Sequence, residues 1–214
     1  LEGPAAFWRK AAIISIHNVR IGVFALLTED MPALTYPENL AGLSLVSAKE
    51  TARRMIRAFR RRHCDYVILL SHCGHSIDLR LAKEVPGIDL IIGGHTDHHL
   101  EQPKIIGKTM IVQTRGYGSH AGVLNLQWDP DQKRVTEFRY RNIPLDPTVI
   151  SPDPSVAALL HETASEVEAL AGQFITSHAE PWLRQDPDPA KNLGEHLVNV
   201  IRERGGVQVA FFHQ

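Results

Sequence analysis

Apolar positions in this chain follow two different periods, and the switches between them mark the elements. Residues 11–27, "AAIISIHNVRIGVFALL", predict two β segments joined by a turn near His17–Asn18. A polar, proline-bearing stretch follows over 28–45. From Ser47 the spacing becomes helical, with Ala52, Met55, Ile56 and Phe59 on one stripe. Ser47 and Glu50 have the spacing of a capping box at its start. "DYVILLSHCGH" is then a buried-strand run of five residues that breaks into polar ones. "DLRLAKEVPG" (78–87) predicts a short helix, capped by Asp78 and ended by Pro86 and Gly87. "IDLIIGGH" predicts a second buried strand and 108–118 a third. Residues 121–145 predict an antiparallel hairpin turned at Asp129–Asp131.

The pattern changes over 146–155, where "DPTVISPDPS" reads as a linker rich in proline, aspartate and serine. A long helix is predicted from Ser155 to Gly172, with Val156, Leu159, Leu160, Val167 and Leu170 on one face. A last helix, "AKNLGEHLVNVIRER", has Asp188 and Pro189 as N-cap and first residue and Gly205 as terminator.

Composition narrows the classes. The formal net charge of -1 over 214 residues argues against a general nucleic-acid binder. The basic run "RRMIRAFRRRH" (53–63) has helical spacing and reads as a solvated helix face. No apolar run approaches the ~18 residues a membrane span requires. The chain opens on Leu1 and closes inside the apolar run "VQVAFFHQ", so both ends read as cut points. Cys64 and Cys73 are expected to be unpaired. Nine extended steps of roughly 3.3 Å exceed disulfide reach.

Candidate chemistry gathers between Tyr66 and Asp97. Two apolar strands flanking a short helix suit parallel strands covered on both faces, and a crossover brings their carboxyl ends to one edge. Ligands of open α/β sheets collect at that edge. His72 lies just past the first strand, and His95 and Asp97 just past the second. Imidazole and carboxylate donors select zinc, iron, manganese and similar divalent ions. His95 and Asp97 would share a face if the loop stayed extended. A solvated histidine-rich loop is the competing reading, since the chain holds 12 histidines. His98 and His99 read as surface or supporting groups. Cys73 beside His72 and His75 makes a poor nucleophile pair, because adjacent residues seldom orient correctly and no third group is evident. No serine elbow, P-loop or dinucleotide fingerprint occurs.

Several segments together resemble a known family. "DYVILLSHCGHSIDLRLAKEVPGIDLIIGGHTDHHLEQP" and "KTMIVQTRGYGSHAGVLNLQWD" are similar to the second half of the catalytic domain of 5'-nucleotidases, which are calcineurin-like binuclear metallophosphoesterases. Residues 11–27 and 36–62 resemble the strand and helix that precede it. "KNLGEHLVNVIRERGGVQVAFF" resembles the start of the C-terminal substrate-recognition domain. The resemblance implies a four-layer α/β/β/α sandwich, here partial, over 1–147. The remaining 148–214 would be a linker helix and the beginning of an α+β substrate domain.

It also implies two divalent metal ions (Zn, Mn, Fe or similar) and a nucleotide or other phosphoester substrate. His72 matches the ligand after the strand, His95 the histidine of Gly-Gly-His, and Asp97 the next ligand position. The family's Asp-x-His, bridging Asp and Asn-His motifs have no counterpart in these 214 residues. The chain by itself is therefore expected to show little or no activity. By resemblance the intact protein would be periplasmic or extracellular. A non-catalytic α/β scaffold remains the alternative, as do cyclic-nucleotide, nucleotide-sugar or sulfur-compound hydrolysis.

Overall fold

The computed structural model describes residues 11–171 and 193–206. The chain divides after Ser151 into two units. In the first, β1 (Ala11–Ile16) and β2 (Val19–Leu27) form the expected hairpin. His17 and Asn18 both take positive φ, at 45° and 67°. Two such residues make the turn whose twist matches that of the flanking strands.

A short helix α1 (Met31–Leu34) and a 3-10 turn (Pro37–Leu40) fill the polar stretch. Helix α2 (Ala48–Arg61) follows and buries Ala52, Ile56 and Phe59. Its capping box is only half made. Ser47 Oγ accepts the Glu50 N–H at a long 3.5 Å, while the Glu50 carboxylate accepts from Arg53 instead. The stronger cap comes from elsewhere: Glu29 Oε1 accepts the Ala48 N–H at 2.7 Å. Arg54, Arg57, Arg60, Arg61 and Arg62 are exposed, as a solvated face requires.

The chain continues through β3 (Tyr66–His72), α3 (His75–Glu84), β4 (Leu90–Ile92), β5 (Lys104–Ile106) and β6 (Thr109–Val112). The sheet order is β1-β2-β3-β4-β6-β5. Strands β2, β3, β4 and β6 are parallel, and the two edge strands are antiparallel to their neighbours. Two expectations are corrected. The strand predicted over 108–118 stops at Val112, because the next residues turn away to bond the β4–β5 loop. The short β5 was not foreseen. The helix predicted from Asp78 begins three residues earlier, with Gly74 at φ 92° as its N-cap.

Phe24, Leu69, Ile91 and Ile111 are register partners in a row across β2, β3, β4 and β6. They are 2%, 0%, 0% and 0% exposed. On this face they meet Ile56 and Phe59 of α2 and Leu81 and Val85 at α3. Side chains that fully leave water in this way each contribute roughly 1.5–3 kcal/mol. The opposite face carries Tyr66, Leu90, Met110 and Val112. Against it packs a hairpin of β7 (His120–Asp129) and β8 (Arg134–Pro144), through Leu124, Leu126, Trp128, Val135 and Tyr140. The unit is thus helix, sheet and second sheet in order, three layers of the expected sandwich.

The second unit holds α4 (Pro154–Ala171) and α5 (Leu193–Gly205). Asp153 Oδ1 accepts the N–H of Ser155 at 2.9 Å and of Val156 at 3.2 Å, a cap that the sequence pattern did not suggest. The apolar stripe has helical period but is not buried: Val156, Leu159, Leu160 and Val167 are all more than half exposed. Gly206, at φ 62°, takes the left-handed position after α5, so it and not Gly205 is the terminator. Asp188 and Pro189 lie outside the described residues.

Candidate metal centre

Four parallel strands end at one edge of the sheet, and the candidate ligands follow two of them. His72 closes β3, pairs with Leu27 of β2 and is exposed. Its carbonyl accepts the Thr28 N–H at 3.0 Å, which ties the ends of β2 and β3 together. Strand β4 ends at Ile92 and passes through Gly93 and Gly94 to His95. Gly94 runs close under the first candidate: a Cβ there would lie 3.2 Å from His72 Nδ1. The rings of His72 and His95 come to 5.1 Å between centroids, edge to face at 61°.

The third candidate sits differently. His95 has a left-handed backbone, φ 76°, so the loop is not extended and alternation does not carry Asp97 to the side of His95. Asp97 instead turns toward the loop after β6, where its Oδ1 accepts the Gly116 N–H at 2.8 Å. Among the described residues no group of three or more His, Cys, Asp or Glu side chains is placed to hold a metal ion.

The neighbouring histidines form further pairs. His75 and His98 stack at 3.9 Å and 18°. Imidazole lone pairs lie in the ring plane, so two nearly parallel rings cannot both aim at one ion. Burial, and then the charges of His98 and Lys104, hold His75 below the ordinary histidine range. His99 pairs with His120 at 5.2 Å. His120 opens β7, and nothing in local spacing marks it as a partner of His99. The pairing comes from tertiary folding alone.

Behind the edge lies a buried polar group. Asp78 is not a helix cap; it is fully buried inside α3, and Ser71 Oγ donates to its Oδ1. Burial pushes this carboxyl up to about 6, with the Ser71 hydrogen bond opposing. Gln113, 2% exposed, donates from Nε2 to the Thr96 carbonyl. Among the described residues, Asp78 Oδ2 and Gln113 Oε1 have no hydrogen-bond partner. Cys73 is 4% exposed, and burial pushes its thiol up to about 11. A thiol so protonated is no nucleophile at neutral pH.

No protein-family model matches the chain. Among curated proteins it is similar to the trifunctional nucleotide phosphoesterase protein YfkN of Bacillus subtilis, 33% identical over 92% of the chain and 14% of that protein. It is also similar to a 5'-nucleotidase of Diplobatis ommata, 23% identical over 91% of the chain and 36% of the relative. A solved structure, a 5'-nucleotidase precursor from Thermus thermophilus, superimposes with a TM-score of 0.71 at 20% identity. That match covers 93% of the chain and 43% of the solved chain. The chain thus spans well under half the length of these relatives.

Proposed function

Because this chain belongs to the 5'-nucleotidase-like metallophosphoesterases, we propose that His72 and His95 form part of a divalent-metal site at which a nucleotide phosphoester is hydrolysed. The observation that carries this reading is the 5.1 Å separation of the two rings at the shared carboxyl edge. Two imidazoles bound to one ion through nitrogens at ~2.0–2.1 Å have centroids about 5 Å apart. The spacing of the pair therefore matches that of two ligands on one ion, whereas that of the stacked His75–His98 pair, at 3.9 Å, does not.

When bound, such ions polarise a phosphoryl oxygen and activate water for in-line attack. The chain's own residues hold and orient. His72 is fixed by the β2–β3 register, and His95 by the loop after β4. Asp97 turns to Gly116, and among the described residues no third side chain stands with the two histidines, so the reading rests on His72 and His95. The Asp97–Gly116 bond ties the β4–β5 loop to the loop after β6. The second ion and the remaining ligands would come from family motifs outside the segments that resemble the family here; Asp97-His98-His99 has the Asp-x-His spacing but follows the Gly-Gly-His turn.

The names of the relatives support nucleotides as the substrate class. They support hydrolysis over a purely structural role for the scaffold. The division after Ser151 supports reading 148–214 as a linker helix and the start of a substrate domain. No helix among the described residues is long and apolar enough to cross a membrane. That fact and the precursor neighbour are compatible with a periplasmic or extracellular location.

Titration calorimetry of the chain with Zn²⁺ and Mn²⁺ tests the reading. His72→Ala and His95→Ala should each weaken binding by about tenfold or more, while His98→Ala should not. Binding that is absent, or indifferent to both substitutions, would leave a non-catalytic scaffold.

A further inference from the structure

Three of the bonds that fasten the loop carrying His95 lead to two consecutive residues at the end of β6; others run from Asp97 to Gly116, from Thr96 to His75 and from Leu100 to Asn142. The loop leaves β4 with the Gly93 N–H donating to the Val112 carbonyl at 2.8 Å. It rejoins the sheet side with the Leu100 N–H donating to the Gln113 carbonyl at 3.1 Å. Midway, the Gln113 side-chain amide donates to the Thr96 carbonyl. We propose that Gln113 is a positioning residue, whose amide, bonded to Thr96, holds the 93–100 loop in the one conformation that sets the His95 ring against His72.

Two independent observations support this assignment. The first is the backbone of His95, which is left-handed at φ 76°. A residue with a Cβ adopts that region at a steric cost and keeps it only where the surroundings over-determine it. The bond to Thr96 lies one residue further along, at the place where such a constraint acts. Thr96 is itself the hub of the loop. Its carbonyl also accepts the His98 N–H at 2.8 Å, and its hydroxyl accepts the His75 N–H at 3.1 Å.

The second observation is Gly93. A Cβ on this residue would lie 2.8 Å from Gln113 Oε1 and 2.9 Å from Asp78 Oδ2. The amide therefore reaches Thr96 by crossing the space that a side chain at 93 would fill. Its orientation is fixed by chemistry, because the Thr96 carbonyl can only accept and so must face the NH₂ group. Gln113 is 2% exposed and acts on His95 through Thr96.

Amide hydrogen exchange on the metal-free chain provides a direct test. Gln113→Met keeps the volume and deletes the donor. It should speed exchange of the amides at 95–100 by about tenfold or more while the Ile91 and Ile111 amides stay protected. In a His95→Gly background the left-handed backbone carries no steric cost, so Gln113→Met should accelerate exchange markedly less than in the wild type. An ordinary tether would give the same acceleration in both backgrounds, and that result would overturn the proposal. So would unchanged exchange at 95–100 in folded Gln113→Met. If Gln113→Met does not fold, Gly93→Ala, which displaces the amide without deleting it, takes its place in both backgrounds. The same two results would then overturn the proposal.

A second readout rests on the metal reading above. Zn²⁺ affinity should fall about tenfold to a hundredfold in Gln113→Met, with both imidazoles still present. A wild-type chain that binds no Zn²⁺ defeats the metal reading alone, because the exchange experiment still decides the role of Gln113.

Discussion

Ile91→Ala is expected to destabilise the first unit by about 3–4 kcal/mol, near the middle of the range for emptying a fully packed aliphatic site. Ile91 is one of the two inner members of the row from Phe24 to Ile111, with a fully buried partner on each side. Helices α2 and α3 lie over it through side chains that are themselves buried, so the hole cannot collapse cheaply. The neighbouring position gives the contrast. Ile92 points to the other face of the same strand and is 40% exposed, so Ile92→Ala should cost about 1 kcal/mol or less. Chemical unfolding of both variants measures the difference. Equal losses would contradict the assigned register, since a slip of one residue exchanges the two faces.

Asp78→Asn should change how stability depends on pH. The folded carboxyl titrates at about 6, raised by burial against the Ser71 hydrogen bond. An unfolded aspartate titrates near ~3.9. Between those values the folded protein keeps a proton that the unfolded chain has released. The stabilising contribution is therefore complete below the unfolded value and is lost as pH rises through the folded one.

The difference amounts to at most about 3 kcal/mol of unfavourable ionisation at neutral pH. Asparagine avoids it, still accepts from Ser71, and puts an NH₂ group in place of Oδ2, near Gln113 Oε1, which lacks a donor among the described residues. Relative to the wild type, the variant should gain about 1–3 kcal/mol between pH 4 and pH 7.5. Asp89, also pushed up to about 6 by burial, is unchanged by the substitution and cancels in the comparison. Unfolding curves that stay parallel across this range would refute the ionisation account.

Sequence reasoning succeeded where structure follows from local pattern and simple topology. The runs at 66–72 and 88–92 declared buried strands. The crossover rule then brought His72 and His95 to one edge with no knowledge of distances. It failed where a side chain is directed by a residue far along the chain. Asp97 answers to Gly116, and Thr96 to Gln113, 17 residues away. The Ser47–Glu50 spacing was real, yet Glu29 took the more important amide. Asp78 had the position of a cap, but the turn at Gly74 started the helix earlier and carried the carboxyl into the core. A three-residue edge strand such as β5, with two of its residues exposed, has no periodicity to announce it.

The two unpaired cysteines, nine residues apart, give the molecule an internal chemical clock. Cys64 is partly exposed after α2, and Cys73 is buried at the junction of β3 and α3. A thiolate-seeking reagent can reach Cys64 through small fluctuations. It can modify Cys73 only when the segment beside His72 opens, because the closed form presents a shielded thiol that titrates at about 11. Cys64 should therefore react first. The delay before Cys73 follows measures how often the edge carrying His72 comes apart, and under the proposed metal reading a divalent ion should lengthen it.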